Sequence, residues 1–358
     1  MRTAIAGALV AFALALAACA RADIVYVHPG GAGDYDNIPD AVLKAGPGDT
    51  VLVAPGTYQI TYAAARGPGS GGWPIRLTNA SPAIMSEAGA AATVLNGGVS
   101  LCPFEIPYGT TDARVTIVGF TVRDVPTLIR KWDTADGGVF LIADNVLEDA
   151  TNGILADGGD GVVSGNRVTG GGLGISAIGF RGSIVGNDVS GCVAVGIGAA
   201  PCARSAIEGN HVHACATGIA VESPTLIEGN IVEGCGFVGI SITGQGGATA
   251  LGNVIAGNRV GVSVDYGSGV ALHGNDLWGN TWLNVECAAW DAPASVLDAT
   301  GNWWGTTNAA AIAAGIRDCT DDAGIHCCVV FEPWCDAPGC GATAAAATSW
   351  GMLKSLYR

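Results

Sequence analysis

Apolar side chains recur along most of this chain in short alternating runs, each ended by glycine, and the runs themselves repeat. Asparagine marks the repeat. Asn145, Asn166, Asn187, Asn210, Asn230, Asn253, Asn275 and Asn302 follow one another at intervals of 20 to 27 residues, with Phe120 and Asn96 at the corresponding places upstream. Two residues after each Asn stands an apolar side chain: Leu147, Val168, Val189, Val212, Val232, Ile255, Leu277 and Trp304. Three residues before it the pattern is again aliphatic, from Ile142 and Val163 through Ile184, Ile207 and Ile227 to Ala250 and Leu272. A second marker, glycine followed by Ile or Val, falls eight to ten residues after the Asn, at Gly153-Ile154, Gly174-Ile175, Gly196-Ile197, Gly218-Ile219, Gly239-Ile240 and Gly261-Val262. Each unit therefore carries three short segments with the period of two that belongs to strands.

One such unit cannot bury a face by itself, whereas units stacked coil on coil share a continuous core. The pattern predicts an all-β, single-stranded right-handed parallel β-helix of about nine to eleven coils. An inward Asn at a bend can donate and accept between coils about 4.8 Å apart, satisfying turn backbone that would otherwise be buried unpaired. Glycine is expected to set the corners by supplying the positive φ of sharp turns.

The Asn-x-apolar repeats between about residues 94 and 305 resemble the parallel β-helix repeats of the pectin lyase-like superfamily. The opening stretch Ile24-Val25-Tyr26-Val27-His28-Pro29-Gly30, with Gly33-Asp34-Tyr35, Asp40-Ala41-Val42, Gly48-Asp49-Thr50 and Pro55-Gly56-Thr57-Tyr58, is similar to the start of many secreted members. The resemblance implies a short amphipathic helix capping the first coil, with Ile38, Val42 and Leu43 as its apolar face. Gly301-Asn302-Trp303-Trp304-Gly305-Thr306-Thr307 resembles a last coil, followed by a helix-like stretch from Asn308 to Ile316. The organisation expected is a signal peptide at 1–22, an N-terminal cap and first coils at 23–93, repeats at 94–305, a Cys-rich cap at 306–340, and a linker and tail at 341–358.

Composition agrees with a solenoid. The 358 residues include 56 glycines, roughly twice the usual share, and glycine at that density would cost helices about 1 kcal/mol per position relative to alanine. Charged residues are scarce at 13 %, yet the formal net charge is −15. With Lys44, Lys131 and Lys354 as the only lysines, the chain lacks the basic clusters that bind nucleic acid. It would also repel polyanionic glycans unless Ca²⁺ bridged them. Arg2 and the apolar run Ala4 to Ala18 read as a secretory signal, too short for a spanning helix. Cleavage after Ala20-Arg21-Ala22 fits the strand that begins at Ile24; the alternative is Leu16-Ala17-Ala18-Cys19, which resembles a lipoprotein box with Cys19 as its anchor. Either way the expected address is outside the cytoplasm, in the periplasm, at the cell surface or beyond. Nothing in the sequence sets the oligomeric state.

Cys192, Cys215 and Cys235 each lie five residues after their Asn and should form a column, paired in part or stacked as buried thiols. Cys319, Cys327, Cys328, Cys335 and Cys340 crowd the C-terminal cap and read as disulfide staples that could reach Cys287.

Fold resemblance does not choose an activity. The Asn-Thr-Asp, Gly-His-Gly and Arg-Ile-Lys segments of polygalacturonases are absent, and only Asp321-Asp322 survives as a dipeptide, outside the coils. The pectinesterase, pectate lyase and alginate epimerase patterns are likewise missing from the sequence. Candidate chemistry comes from register instead. Residues one and three after each Asn should face outward, which sets Asp188 beside His211, and His213 beside Glu233, in successive coils. Glu208 and Glu228 should stack two residues before their Asn, with His273 further along the same column. Glu208, His211, His213 and Glu233 are thus acid–base candidates, and Asp188, His211, His213 and Glu233 metal-ligand candidates. Arg181 and Arg204 should stack and could grip a carboxylate. Trp278 and Trp282, within a cluster that also holds Trp290, Trp303 and Trp304, could stack on sugar rings. The reading is a secreted or cell-surface β-helix protein that binds carbohydrate or serves structural display. The alternatives are a polysaccharide lyase or glycoside hydrolase, and a periplasmic metal-handling protein like the copper-associated β-helix proteins.

Overall fold

A computed structural model describes residues 22–340 apart from 61–73, 79–80, 98–101, 108–109, 111–112, 132–137, 149, 201–204, 223, 245–246, 266–268 and 289–293. The expected signal peptide and the C-terminal linker and tail lie outside the described residues, Ala22 excepted.

Each coil gives one strand to each of three parallel sheets. The central coil shows the plan: Ala206–Glu208 joins a 13-stranded sheet, the Gly209-Asn210 bend follows, His211–His213 joins a 10-stranded sheet, and Thr217–Val221 joins an 8-stranded sheet. Early coils replace the third sheet with a 3-stranded one built from Ile75–Arg76, Phe104–Ile106 and Ile129–Lys131. All pairings are between neighbouring coils and parallel, so the inward side chains stack into rows. Ile142, Val163, Ile184, Ile207, Ile227, Ala250 and Leu272 make one row, and Leu147, Val168, Val189, Val212, Val232, Ile255 and Leu277 another, all buried.

The asparagines form a ladder in the first bend. From Asn145 to Asn275, each Nδ2 donates to Oδ1 of the next Asn at 2.9–3.0 Å, and the same oxygen accepts the backbone N–H of the preceding Asn. The second Nδ2 hydrogen goes to the carbonyl of the aliphatic residue three before the previous Asn, as in Asn210 to Ile184 and Asn230 to Ile207. At the upstream end Phe120 holds the ladder position and donates its N–H to Asn145 Oδ1. Asn96 does not continue the column. It pairs with Arg123, which puts Thr93 opposite Phe120, so the hydroxyl of Thr93 occupies the buried corner in that coil.

Glycine has two separate duties. The residue before the Asn has positive φ throughout, at 58° to 70° from Gly165 to Gly301, with Asp144 taking the same conformation. The glycine of each Gly-Ile pair has no such φ. A Cβ at Gly196 or Gly218 would lie 2.5 Å from a valine Cγ1 and 2.6–2.8 Å from the next coil's glycine carbonyl. The expectation that these glycines set corners is therefore corrected: they are small because the coil wall touches the core there.

Cys192, Cys215 and Cys235 are buried free thiols that cover this glycine column. Burial pushes the Cys235 thiol up to about 11, and the hydrogen bond to Cys215 together with burial raises Cys192. The same column continues as Asn258 and Asn280, where Asn258 Oδ1 accepts from the Cys235 N–H and Asn280 Oδ1 from the Asn258 N–H. Thiols thus replace a second asparagine ladder in the middle coils.

Both ends are covered. The helix Ile38–Lys44 is capped by the Asn37 side chain, which accepts from the Asp40 N–H, and it buries Ile38 and Ala41. Leu43 is not on the buried face: it is 62 % exposed, and Ala41 takes the place assigned to it. At the other end Asn308 caps a helix of only six residues, Ala309–Ala314, and Ile316 already belongs to a strand beside Val285. Trp304 is buried, with Phe331 edge-on to it and Trp334 stacked on Phe331. Disulfides join Cys287 to Cys327, Cys319 to Cys328 and Cys335 to Cys340. The first ties the last full coil to the capping strand Cys327–Val330 across 40 residues. Substituting Cys287 and Cys327 together by Ala is expected to cost about 2–4 kcal/mol. Removing Cys335–Cys340, which closes only 5 residues, should cost clearly less; urea midpoints of the two variants check this.

Candidate functional site

The outer face of the 10-stranded sheet carries two columns of side chains along the solenoid. One runs Val146, Arg167, Asp188, His211, Ile231, Val254 and Asp276; the other runs Glu148, Thr169, Ser190, His213, Glu233, Ala256 and Trp278. Neighbours within a column are about 4.8 Å apart, because each belongs to the next parallel strand. Beyond the second column the chain turns through Gly191, Ala214, Gly234, Gly257 and Gly279, all with φ between 53° and 68°. This left-handed conformation favours residues without a Cβ, and Ala214 is the one that carries a methyl. The bare turns leave a shallow groove of about 370 Å³ along the axis. Its wall is His213, Glu233, Ala256 and Trp278, and its floor is Ala214, Gly234, Gly257 and Gly279.

At the head of the groove the two histidines stack, with ring centroids 4.5 Å apart and planes 25° from parallel. His211 Nε2 is 3.0 Å from Glu233 Oε1, and its Nδ1 is 3.7 Å from Asp188 Oδ1. His213 Nε2 is 3.4 Å from the same Asp188 oxygen. Arg167 Nε reaches the other oxygen, Oδ2, at 3.3 Å. The four metal-ligand candidates therefore come together. Glu208 does not join them: the Gly209-Asn210 bend puts it on the 13-stranded sheet, stacked on Glu228. His273 stays on that sheet too, where Nδ1 meets the Thr300 carbonyl and Nε2 lies 3.6 Å from Asp298. The acid–base set predicted as one face is thus divided between two sheets.

Arg181 donates to Asp160 of the preceding coil at 2.9 Å, so its guanidinium is already engaged by a carboxylate; Arg204 lies outside the described residues. Trp278 is 47 % exposed and closes one end of the groove. Trp282 is as exposed but sits across the turn, where the Arg259 guanidinium lies over its ring at 5.2 Å. The two indoles do not form one platform. Ca²⁺ would require six to eight oxygens, and the His-rich cluster does not supply them. Sequence reasoning missed the groove, whose signal was the glycine four residues after the Asn in most coils, and missed Asn258 and Asn280.

Among the described residues no helix is long and apolar enough to cross a membrane, and three disulfides are the chemistry of an oxidising compartment. The family model described as "Right handed beta helix region" matches residues 132–277. A comparison with curated proteins gave no match. Among solved structures, the A-module of the Azotobacter vinelandii mannuronan C-5 epimerase AlgE4 superposes with a TM-score of 0.51 at 16 % identity, covering 80 % of this chain and 91 % of that one. The A-module of AlgE6 from the same organism gives 0.48 at 19 % identity, covering 73 % and 79 %. The pectate lyase Pel9A gives 0.43 at 14 % identity, covering 90 % and 82 %. Likeness at such identities is one of fold: the chain is a right-handed parallel β-helix, as its repeats predict.

Proposed function

We propose that this is an exported β-helix protein that binds a glycan chain along the groove walled by His213, Glu233 and Trp278. The observation that carries the reading is the groove itself: elongated, shallow, parallel to the solenoid axis, with an exposed indole at one end and hydrogen-bonding groups along one wall. A flat indole offers an apolar face to a sugar ring, while imidazole and carboxylate serve its hydroxyls. The fold supports the ligand class, since the epimerase module that shares it is named for a reaction of mannuronan. Charge narrows the class. The arginines beside the groove face are engaged, Arg167 with Asp188 and Arg123 with Glu148, and the chain is strongly acidic. A neutral glycan is therefore favoured over a polyuronate.

The test is a panel of neutral and uronate oligosaccharides, with and without Ca²⁺, read both by binding and by new reducing ends or unsaturated products. The expected outcome is binding of a neutral member that Trp278→Ala weakens about tenfold or more, equivalent to about 1.4 kcal/mol, while Trp282→Ala leaves it unchanged. Product formation that depends on His213 and Glu233 would replace the binding reading with the lyase or hydrolase one. Binding indifferent to Trp278 would remove the groove as its seat.

A further inference from the structure

We propose that Asp188, His211 and His213 form a site for a divalent first-row transition metal of the Zn²⁺ type, with Glu233 as the residue that positions His211. The parallel register places Asp188 directly beside His211 on the neighbouring strand, and the period of two turns His213 to the same face. Asp188 Oδ1, one nitrogen of His211 and one of His213 all lie within 4.8 Å of one another. From the carboxylate oxygen the separations are 3.7 Å to His211 Nδ1 and 3.4 Å to His213 Nε2. A tetrahedral ion bound at about 2.1 Å sets its ligand atoms about 3.4 Å apart. The carboxylate-to-imidazole edges are thus close to coordination spacing, and one nitrogen of each stacked ring lies within 3.7 Å of the same Asp188 oxygen.

Two further observations point to a cation. Asp188 Oδ1 is buried beneath the imidazoles and accepts no hydrogen bond, although the side chain as a whole is 41 % exposed. A buried anionic oxygen left so is costly unless a cation meets it. Second, His211 has its outer nitrogen committed: Nε2 lies 3.0 Å from Glu233 Oε1. With the proton on Nε2 and donated to that carboxylate, the Nδ1 lone pair faces Asp188, which is the carboxylate–histidine arrangement that orients and strengthens metal-bound imidazoles. Arg167 holds the remaining Asp188 oxygen. The ligand side chains stay 36–42 % exposed, so a fourth position is open to water or to a small ligand. Two nitrogens and one carboxylate suit Zn²⁺, Co²⁺, Ni²⁺ or Cu²⁺ and are a poor match for Ca²⁺ or Mg²⁺. The site shares His213 and Glu233 with the head of the groove, and Trp278, two coils beyond Glu233 in the same column, is the residue that separates the metal site from the glycan reading.

Chelator-treated full chain with its disulfides intact is titrated with Zn²⁺ by calorimetry and with Co²⁺ by its visible d–d absorption. The expected result is one equivalent bound, with affinity lowered at least 100-fold in His211→Ala/His213→Ala and in Asp188→Ala, and unchanged in Trp278→Ala. Glu233→Leu should lose 10–100-fold, and Glu233→Gln, which keeps an acceptor for the Nε2 proton, should recover part of it. Millimolar Ca²⁺ should not compete. Thermal unfolding of the metal-free His211, His213 and Glu233 variants should stay close to wild type, since those side chains are 36–51 % exposed. The proposal is overturned if wild type binds no stoichiometric ion, or if the double His variant binds Zn²⁺ and Co²⁺ as wild type does, which would locate the ion elsewhere. Equal loss in Glu233→Gln and Glu233→Leu would overturn the positioning role.

Discussion

Asn210→Ala is expected to destabilise the solenoid by about 3–5 kcal/mol, the sum of the buried groups it leaves without partners. Asn210 Oδ1 accepts both the backbone N–H and one Nδ2 hydrogen of Asn187, and Asn210 Nδ2 donates to the Ile184 carbonyl. Truncation orphans all of these in a corner where Asn210 is 1 % exposed, beyond the reach of bulk water. Asn230 Oδ1 loses the Asn210 Nδ2 donor as well but keeps the Asn210 backbone N–H, so the side-chain ladder is broken on both sides while every orphaned group lies toward Asn187 and Ile184. Because each coil is held by its two neighbours, a cut in the middle also weakens the cooperativity of the whole array. Urea unfolding followed by circular dichroism should show the midpoint falling, whereas Glu208→Ala, on the outer surface three residues from the next strand, should stay within about 0.5 kcal/mol of wild type.

Gly218→Ala is expected to cost roughly 3 kcal/mol, at the upper end of overpacking penalties, and Gly218→Val more. The added carbon would meet Val232 Cγ1 at 2.5 Å and the Gly239 carbonyl oxygen at 2.6 Å. The carbonyl is part of the next coil's backbone and cannot move without opening the strand spacing. Gly209→Ala is the informative comparison. Gly209 has φ of 58° but nothing within 4 Å of its missing Cβ, so its penalty is conformational, about 1–2 kcal/mol. If the two glycines had the same duty the two substitutions would cost the same, and the ranking of their urea midpoints decides it.

Fold and core were legible in the sequence because a stacked solenoid forces the same residue type into the same corner of every coil, and Asn145 to Asn302 satisfy that demand almost without exception. The end of the ladder was not, because Thr93 can supply a hydroxyl where Asn stands elsewhere, and Asn96 mimics the spacing. The glycines of the Gly-Ile pairs looked like turn residues since composition cannot separate a need for positive φ from a need for space. Register along one strand identified Asp188, His211, His213 and Glu233 as outward neighbours. It could not show that the bend at Gly209 and Asn210 carries Glu208 to another sheet. The Arg181 partner was within reach: Asp160 lies 21 residues before it, one coil period, and a search for opposite charges at that interval would have found the pair.

The proposed glycan binding occupies the outer face of the 10-stranded sheet. Hydroxyl-radical footprinting with mass spectrometry, carried out on the chain with and without the tightest-binding oligosaccharide of the panel, decides the location. Protection is expected at Trp278 and His213, with Trp282 and His273 reacting as before. Protection confined to the corner at Trp282 or to the 13-stranded sheet around His273 would contradict it.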